Sequence, residues 1–155
     1  MNRQDIYFMQ QAILEAEKAY ENGEVPVGAI IVLDDKIVAK AYNQILKLKD
    51  PTAHAEILAI KEATTYLKNE RLINTTIYVT IEPCPMCAGA LVLARVKSLV
   101  YGADDHKTGA CGSIINIAQH PSLNHQLSVQ KGILEEEAKA LIQRFFKERR
   151  NYSSY

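Results

Sequence analysis

The chain of 155 residues is long enough for one hydrophobic core and too short for two domains of ordinary size, so we expect residues 1–155 to form a single domain. Apolar residues make up 48% of the sequence and charged residues 23%, which excludes an intrinsically disordered chain. Because 18 basic residues balance 18 acidic residues, the overall charge indicates no nucleic-acid partner, and any such binding must come from a local patch.

The N-terminal segment is charged in every turn, and no apolar run has the length of a membrane span. We therefore expect a cytoplasmic protein that does not interact with membranes. Up to Gly23, the apolar residues of this segment recur at helical spacing, which predicts a first helix. The residues of this periodic face are Ile6, Met9, Ile13, Ala16 and Tyr20.

Two β-branched segments, residues 27–33 and 36–43, are separated by a pair of aspartates and predict a β-hairpin. Asp50 and Pro51 then have the residue types that cap and open a helix. The apolar spacing predicts that this second helix continues to about Leu67. Its expected core face consists of Ile57, Ile60, Ala63 and Leu67.

A buried strand is predicted at residues 75–81, followed by a proline-opened helix at residues 82–96 and a strand at residues 98–102. Residues 103–126 are punctuated by Gly, Asn and Pro, which predicts mostly loop with a short helix. This order of elements predicts an α/β sandwich with strands between helical layers. The chain ends in an amphipathic helix whose expected core face is Leu134, Ala138, Leu141 and Phe145.

Three side chains with metal-binding chemistry, His54, Cys84 and Cys87, lie at the starts of two predicted helices. Because each helix follows a strand, we expect both helix starts at the same edge of the sheet. A Cys-x-x-Cys spacing in a chain predicted to be cytoplasmic favours metal ligation over a disulfide. Structural zinc sites usually have four protein ligands, whereas catalytic sites keep a position for water, so three ligands predict one catalytic Zn²⁺ per chain.

Glu56 lies two residues after His54, and residues at this spacing do not face each other inside a helix. At a helix start, however, both side chains can converge beyond the terminus. Glu56 can then reach a metal-activated water without being a ligand and transfer its proton, which predicts hydrolysis at an sp² carbon. The alternative is a structural zinc site, which leaves Glu56 without a role and takes its fourth ligand from Cys111, His106, His120 or His125.

The combination of His-x-Glu with a later Pro-Cys-x-x-Cys resembles the zinc-dependent nucleobase and nucleoside deaminases. Within that superfamily, the sequence is similar over nearly its whole length to the bacterial tRNA-specific adenosine deaminases. The segments that match are "EVPVGAI", "DPTAHAEI", "IYVTIEPC", "MCAGA" and "VYGADD". The resemblance implies a cytidine deaminase-like fold, a three-layer α/β/α sandwich around a mixed five-stranded sheet, with Zn²⁺ bound by His54, Cys84 and Cys87 and protons transferred by Glu56.

The resemblance also implies a reaction and partners. Adenosine at the wobble position of a tRNA anticodon would be deaminated to inosine, with the anticodon stem-loop as the bound substrate. A homodimer is implied as well, and residues 88–96 are apolar enough either for an interface helix or for core burial. By resemblance, the flipped nucleotide would be contacted by Asn43 and Asn124, and the anticodon loop by Phe145, Phe146, Arg149 and Arg150.

Two other functions stay open at this point. The tetrapeptide "CPMC" is equally similar to deaminases of free cytosine or guanine, and an RNA-binding module with a purely structural zinc is also compatible with the sequence. The basic C-terminus is similarly ambiguous, since cations at a helix C-terminus complement the helix dipole without any partner. Phe146 lies off the predicted core face, however, and an exposed ring beside arginines suits unstacked bases.

Overall fold

The elements of this protein were taken from a computed structural model that describes residues 2–152. The expected single domain of residues 1–155 therefore extends beyond the described part at both ends and stays a prediction. In chain order the elements are α1 (Arg3–Glu21), β1 (Gly28–Leu33), β2 (Lys36–Tyr42), α2 (Ile45–Leu48), α3 (Ala55–Leu67), β3 (Thr76–Ile81), α4 (Pro85–Leu93), β4 (Ser98–Ala103), β5 (Ser128–Lys131) and α5 (Glu135–Tyr152).

The strands form one mixed sheet in the order β2-β1-β3-β4-β5. Strand β1 pairs antiparallel with both β2 and β3, whereas β3, β4 and β5 pair in parallel. The predicted α/β fold with a mixed five-stranded sheet is therefore confirmed. Because β1 is antiparallel to both of its neighbours, β2, β3 and β4 run in the same direction. Their carboxyl ends meet at one edge of the sheet, where ligands bind in many open α/β sheets.

Successive residues of each central strand point to opposite faces of the sheet, which produces two separate cores. In β1, Ala29 and Ile31 pack in the core beneath α3 and α4, whereas Ile30 and Val32 pack against α1. The α3 side of the first core consists of small residues, so this helix lies close to the sheet. The buried alanines of α3 are Ala55, Ala59 and Ala63.

The hairpin prediction is confirmed, and a two-residue turn connects β1 to β2. Asp34 and Asp35 both have positive φ, 50° and 61°, as the backbone twist of a tight hairpin requires. The predicted face of the first helix is only partly correct. Met9 and Ala16 are buried, but the buried stripe also contains Phe8, Ala12 and the carboxylate-bearing Glu15.

The predicted start of the second helix is wrong. Helix α3 begins at Ala55 rather than at Asp50, because the Asp50 carboxylate accepts hydrogen bonds from the N–H and the hydroxyl of Thr52 and forms a local turn instead. Its core face was also misassigned in part. Ala63 is buried as expected, whereas the larger Ile57, Ile60 and Leu67 lie half-buried at the flanks of the alanine stripe.

Three further differences concern short elements. Helix α2 and strand β5 are too short to give a periodic pattern, and the sequence analysis did not find them by pattern. The short helix expected within residues 103–126 is absent from that segment, which consists of turns and one isolated bridge between Cys111 and Asn116. Within residues 2–152, no helix combines the length and the apolar character needed to cross a bilayer.

Candidate metal centre and its cavity

His54 is the N-cap residue of α3, with an extended backbone and no capping hydrogen bond from its side chain. Its N–H donates to the carbonyl of Thr52 at 2.7 Å, and its carbonyl accepts the first helical hydrogen bond from Leu58 at 3.1 Å. The backbone is thereby fixed while the imidazole remains available. The chain delivers this residue from the end of β2 through α2 and a turn.

Cys84 and Cys87 occupy the first turn of α4, which begins directly after β3. Cys84 is the N-cap residue, Pro85 opens the helix, and Cys87 is completely buried. Proline suits this position because its missing N–H would have no helical partner there. Both sulfur atoms therefore lie at a helix N-terminus, where the dipole favours a thiolate.

The two helix starts meet at the sheet edge. His54 Nδ1 lies 3.6 Å from Cys84 Sγ and 3.5 Å from Cys87 Sγ, and the three potential ligand atoms lie within 4.8 Å of one another. Tetrahedral bonds of about 2.3 Å to sulfur and about 2.0 Å to nitrogen would separate such ligand atoms by roughly 3.5 Å. The donor set therefore fits one metal ion, and in residues 2–152 it is the one group of three or more His, Cys, Asp or Glu with this geometry.

The protonation states of the two cysteines are coupled. A hydrogen bond from the Cys87 thiol, together with His54, lowers the pKa of Cys84 to about 4. Donation to Cys84 and burial raise the pKa of Cys87 far above its usual range. The hydrogen bond to Cys84 also raises the pKa of His54. These shifts favour the thiolate of Cys84 and the thiol of Cys87, so a cation that binds both sulfur atoms would displace the proton of Cys87.

Glu56 lies in the first turn of α3 and is only 4% exposed. Burial, with a smaller contribution from the neighbouring Cys84 and against the opposing effect of His54, raises the pKa of its carboxyl to about 7. No ion pair is formed with this carboxylate in the described part of the chain. A buried carboxyl with such a pKa can be both an acceptor and a donor of protons near neutral pH.

A cavity of about 190 Å³ opens above these residues. The cavity has apolar lining from the segment before β1 and from α2, together with polar lining residues. Three carboxyl ends of strands contribute to it, as the sheet topology requires. The lining residues are Val25, Val27, Asn43, Ile45, His54, Glu56, Ile81, Glu82, Cys84, Asp105 and Thr108.

Asn43 follows β2 and is 6% exposed. Its Oδ1 accepts a hydrogen bond from the N–H of Ala55 at 2.8 Å, and its Nδ2 donates to the carbonyl of Val25 at 3.1 Å. The first hydrogen bond satisfies a free N–H at the start of α3, the helix that contains Glu56. An amide has two N–H groups, so one donor of Asn43 is available to a ligand in the cavity.

Three polar residues of this cavity were not expected from the sequence, namely Glu82, Asp105 and Thr108. Glu82 comes directly after one predicted strand and Asp105 comes shortly after another, and Glu82 is buried. The signal that could have identified Glu82 is its position between a predicted buried strand and the Cys-x-x-Cys motif. Glu82 accepts four hydrogen bonds from the loop that contains the other two residues.

Asn124 is not brought into the cavity. It is exposed, and its Oδ1 accepts a hydrogen bond from Arg95 at 3.4 Å. The neighbouring His125 hydrogen-bonds through Nε2 to the carbonyl of Val96 at 2.7 Å, and His120 accepts from the N–H of Ser122. Asn124 and His125 therefore attach their loop to the segment between α4 and β4, and His120 is used within the loop itself.

The two adjacent phenylalanines of the C-terminal helix α5 have different environments. Phe145 is 6% exposed and packs against Tyr20, whereas Phe146 is 47% exposed. Arg149 lies over the Phe145 ring, with 4.6 Å between its guanidinium carbon and the ring centroid, and donates to the carbonyl of Gly23. Phe145 and Arg149 thus attach α5 to the body of the protein.

Two clefts are lined by residues of this helix, and the first of them adjoins the metal-site cavity. The first has a volume of about 240 Å³, shares Val25 and Ile45 with the cavity, and is bounded on its far side by Phe146 and Arg149. The second, which we call the basic cleft, has a volume of about 490 Å³. It is lined by Lys107, Ile142, Gln143, Phe146, Arg149 and Arg150.

Comparisons with known proteins agree with this architecture. The model of the MafB19-like deaminase family matches residues 1–150. The tRNA-specific adenosine deaminase of Bacillus subtilis (strain 168) is 48% identical over 95% of this chain and 91% of its own length. That of Aquifex aeolicus (strain VF5) is 50% identical over 94% of this chain and 95% of its own length.

Solved structures give a consistent result. A structure from a study of A-to-I editing by tRNA:A34 deaminases at the wobble position of transfer RNA has a TM-score of 0.85 and 43% identity. The match covers 87% of this chain and 98% of that one. A guanine deaminase from Nitrosomonas europaea has a TM-score of 0.78 at 22% identity over 90% of this chain and 83% of its own, a likeness in fold alone.

Proposed function

This chain belongs to the family of the tRNA-specific adenosine deaminases, and we propose that it hydrolyses adenosine to inosine at the wobble position of a tRNA anticodon. One observation carries this proposal beyond family membership. The buried carboxylate of Glu56 lines the same cavity as His54 and Cys84, two members of a group that could hold a metal ion. Hydrolytic deamination needs a nucleophilic water and a group that moves its proton, and the cavity has residues for both.

We assign one Zn²⁺ per chain to His54 Nδ1, Cys84 Sγ and Cys87 Sγ. Imidazole and thiolate ligands suit zinc, and a set of three leaves one coordination position for water. An ion in this position would supply a water molecule of lowered pKa, which is nucleophilic near neutral pH.

The protein residue that moves protons in this account is Glu56. Its carboxylate accepts a proton from the attacking water and then donates a proton to the amino group at C6 of adenine. A bond forms between the water oxygen and C6, the bond from C6 to nitrogen breaks, and ammonia leaves. Burial keeps the pKa of this carboxyl near neutrality, so both transfers are possible at the same pH.

The nucleotide would be held by the cavity walls. Val25, Val27 and Ile45 provide apolar surface for a base, and the remaining N–H of Asn43 provides a donor. We propose Asn43 as a substrate-binding residue that also supports the start of α3. Asn124 remains a proposal from family resemblance, since in this structure its side chain is engaged by Arg95 outside the cavity.

The rest of the anticodon loop would follow the first cleft from the cavity to the basic cleft, since the two clefts share Phe146 and Arg149. Phe146 offers an exposed ring on which a base can stack, and base stacking on aromatic residues is common in the binding of single-stranded nucleic acid. The basic cleft adds Lys107 to the expected Arg149 and Arg150, so three cations surround it. We propose that these cations bind phosphates, with Phe145 and Arg149 also holding α5 in place.

We further propose a homodimer and a cytoplasmic location. Helix α4 has an outer apolar face, where Leu93 is 79% exposed and a Cβ built at Gly89 would have no atom within 4 Å. Exposed apolar surface of this kind is typical of an interface with another chain. The mass of the protein in solution tests the dimer. The cytoplasmic location is proposed because tRNA is the proposed substrate, and cell fractionation tests it.

The two alternatives have less support. A structural zinc would need a fourth ligand, but within the described residues none of the candidates Cys111, His106, His120 and His125 belongs to the metal-binding group. A free-base deaminase would have no use for the exposed aromatic and the cations beside the cavity. The curated relatives at 48% and 50% identity act on tRNA by name.

Ammonia release distinguishes the three functions directly. We would compare an anticodon stem-loop that has adenosine at the wobble position with free adenine, guanine and cytosine. A tRNA deaminase releases ammonia from the stem-loop alone, a free-base deaminase releases it from a base alone, and a structural RNA-binding module releases none. Release from a free base but not from the stem-loop would contradict the proposed function.

A further inference from the structure

Glu82 is a buried carboxylate to which the proposed reaction gives no role. It follows β3 directly, lies two residues before Cys84, and is only 3% exposed. Within the described residues no cation forms an ion pair with it. Because a buried charge is unfavourable without hydrogen bonds, its partners should indicate what it does.

The loop of residues 105–113 donates four hydrogen bonds to this carboxylate. Oε1 accepts from the N–H of Asp105 at 3.0 Å and from the Ser113 hydroxyl. Oε2 accepts from the N–H groups of Cys111 at 2.9 Å and Ser113 at 3.1 Å. These donors lie at both ends of the loop, so one carboxylate fixes the whole segment. Hydrogen bonds to an ionised group are stronger than neutral ones.

Close packing adds to these bonds. A Cβ at Gly109 would lie 2.4 Å from Glu82 Cδ and 2.4 Å from the carbonyl oxygen of Asp105, so the loop backbone passes against the carboxyl with no room for a side chain. The N–H of Ala110 donates to the carbonyl of Pro83 at 2.9 Å. The loop is therefore attached both to Glu82 and to the residue that precedes the candidate ligand Cys84.

The same loop forms part of the wall of the cavity, through Asp105 and Thr108. The two residues form a tight corner, in which Asp105 Oδ1 accepts from the Thr108 N–H at 3.1 Å and Oδ2 accepts from its hydroxyl at 2.8 Å. Among the hydrogen bonds of the described residues, the bond from the Asp105 N–H to Glu82 Oε1 is the one that joins this corner to the end of β3. The position of the wall relative to Glu56 thus depends on Glu82.

We propose that Glu82 is a positioning residue for the deamination, which fixes loop 105–113 as a rigid wall of the cavity so that the base is held against Glu56. This inference rests on the proposed function. Glu82 itself contacts neither water nor base in this role. It acts through the loop, and its loss should therefore affect substrate binding and loop order together.

Glu82→Gln tests the proposal, because it keeps the shape of the side chain but turns one acceptor into a donor that faces N–H or O–H groups. We expect KM for the anticodon stem-loop to rise about 10-fold and kcat/KM to fall by up to about 100-fold, as for a misplaced substrate. Hydrogen exchange, measured without substrate, should accelerate in residues 105–113 and not in α3. Zinc content should stay at the wild-type level.

Ser113→Ala is a milder second variant that removes one of the four hydrogen bonds and decides the matter if Glu82→Gln does not fold. Loop exchange should again accelerate, with KM raised about 3-fold, as expected for one lost hydrogen bond. Glu15→Gln is the matched control, since it also removes a buried carboxylate, but one that lies on α1 and pairs with Lys18. It should leave loop exchange and KM unchanged.

Two results would overturn the positioning role. One is wild-type loop exchange and wild-type KM in both variants. The other is faster exchange spread evenly over the chain, with unchanged kcat and KM per folded molecule, since Glu82 would then only stabilise the fold. A wild-type protein that leaves the stem-loop unmodified contradicts the proposed function instead, and the exchange data still report whether Glu82 holds the loop.

Discussion

The side-chain oxygen of Asn43 accepts a hydrogen bond from the backbone N–H of Ala55 at 2.8 Å, which joins the end of β2 to the first turn of the helix that contains Glu56. Asn43→Ala removes this bond and the one to Val25, and it leaves the buried N–H of Ala55 without this partner, whereas the Val25 carbonyl still accepts from the N–H of Val27 at 2.8 Å. We expect a loss of about 1–3 kcal/mol in the free energy of unfolding, together with slower deamination of the stem-loop.

Chemical denaturation and steady-state kinetics would check the prediction for Asn43. Asn69→Ala is a suitable control, because the Asn69 side chain likewise accepts a hydrogen bond from a backbone N–H, that of Arg71, but is exposed and lies beyond the end of α3. It should change neither quantity appreciably. If Asn43→Ala retains wild-type stability and kinetics, Asn43 is only a residue of the turn after β2.

The three cysteines permit a matched test of the metal centre. Cys84→Ala removes one of the three proposed ligands, so zinc content and stability should both fall, because metal binding is coupled to folding. Cys111→Ala removes a cysteine that is also buried but lies outside the group, and it should retain one zinc per chain. Elemental analysis of both variants decides, and a fully active Cys84→Ala protein without metal would refute the assignment.

Much of this centre was predictable from the sequence, because helix starts that follow parallel strands must meet at one edge of the sheet. His54, Cys84 and Cys87 were found in this way. The start of α3 was not, since Asp50 has the residue type of a helix cap but uses its carboxylate in a turn with Thr52. Local residue preferences do not distinguish these two uses.

Long-range contacts explain the other differences. Strand β5 has only four residues and is defined by its pairing with β4, so its own sequence has no strong pattern. The loop after β4 was expected to contain a helix, but three of its N–H groups, those of Asp105, Cys111 and Ser113, bind the Glu82 carboxylate instead of carbonyls within the loop. A bond between residues 29 positions apart is not visible in a sequence pattern.

Glu56 should destabilise the metal-free protein above neutral pH. Burial raises the pKa of its carboxyl from 4.5 to about 7, so the folded state holds this proton more tightly than the unfolded state. Below pH 4.5 the group is protonated in both states and has no effect. The destabilisation grows between pH 4.5 and about 7. Above this range it reaches about 3 kcal/mol, because each unit by which the folded-state pKa exceeds the unfolded-state pKa corresponds to about 1.36 kcal/mol.

Denaturation of the metal-free proteins with chelator and reductant would measure this effect. Glu56→Gln should unfold at higher denaturant concentration than the wild type at pH 8, with a difference that disappears as the pH is lowered toward 4.5. Glu15→Gln loses a carboxylate that is paired with Lys18 at 2.6 Å, and it should not be stabilised at either pH. A Glu56→Gln protein that is less stable than the wild type at pH 8 would contradict the prediction that the ionised Glu56 carboxylate destabilises the folded state.

The two adjacent phenylalanines of α5 should give opposite results. Phe145→Ala leaves a space in the core beside Tyr20 and should reduce the free energy of unfolding by about 3–5 kcal/mol. Phe146→Ala should leave stability nearly unchanged but weaken stem-loop binding by about 1–3 kcal/mol if a base stacks on the ring. Thermal denaturation and binding isotherms separate these effects. Unaltered affinity in Phe146→Ala would place RNA recognition elsewhere.

The formation of inosine at one defined nucleotide is the most direct test of the central claim. The wild-type protein and Glu56→Gln, both with zinc content measured, would be incubated with an anticodon stem-loop whose wobble nucleotide is adenosine, and the products sequenced by mass spectrometry. We predict inosine at the wobble position and nowhere else. Glu56→Gln should retain zinc while its turnover is about 10²–10⁴-fold lower, as for the loss of a general acid–base group. Equal turnover in the two zinc-containing proteins, or deamination at another adenosine, would contradict the account.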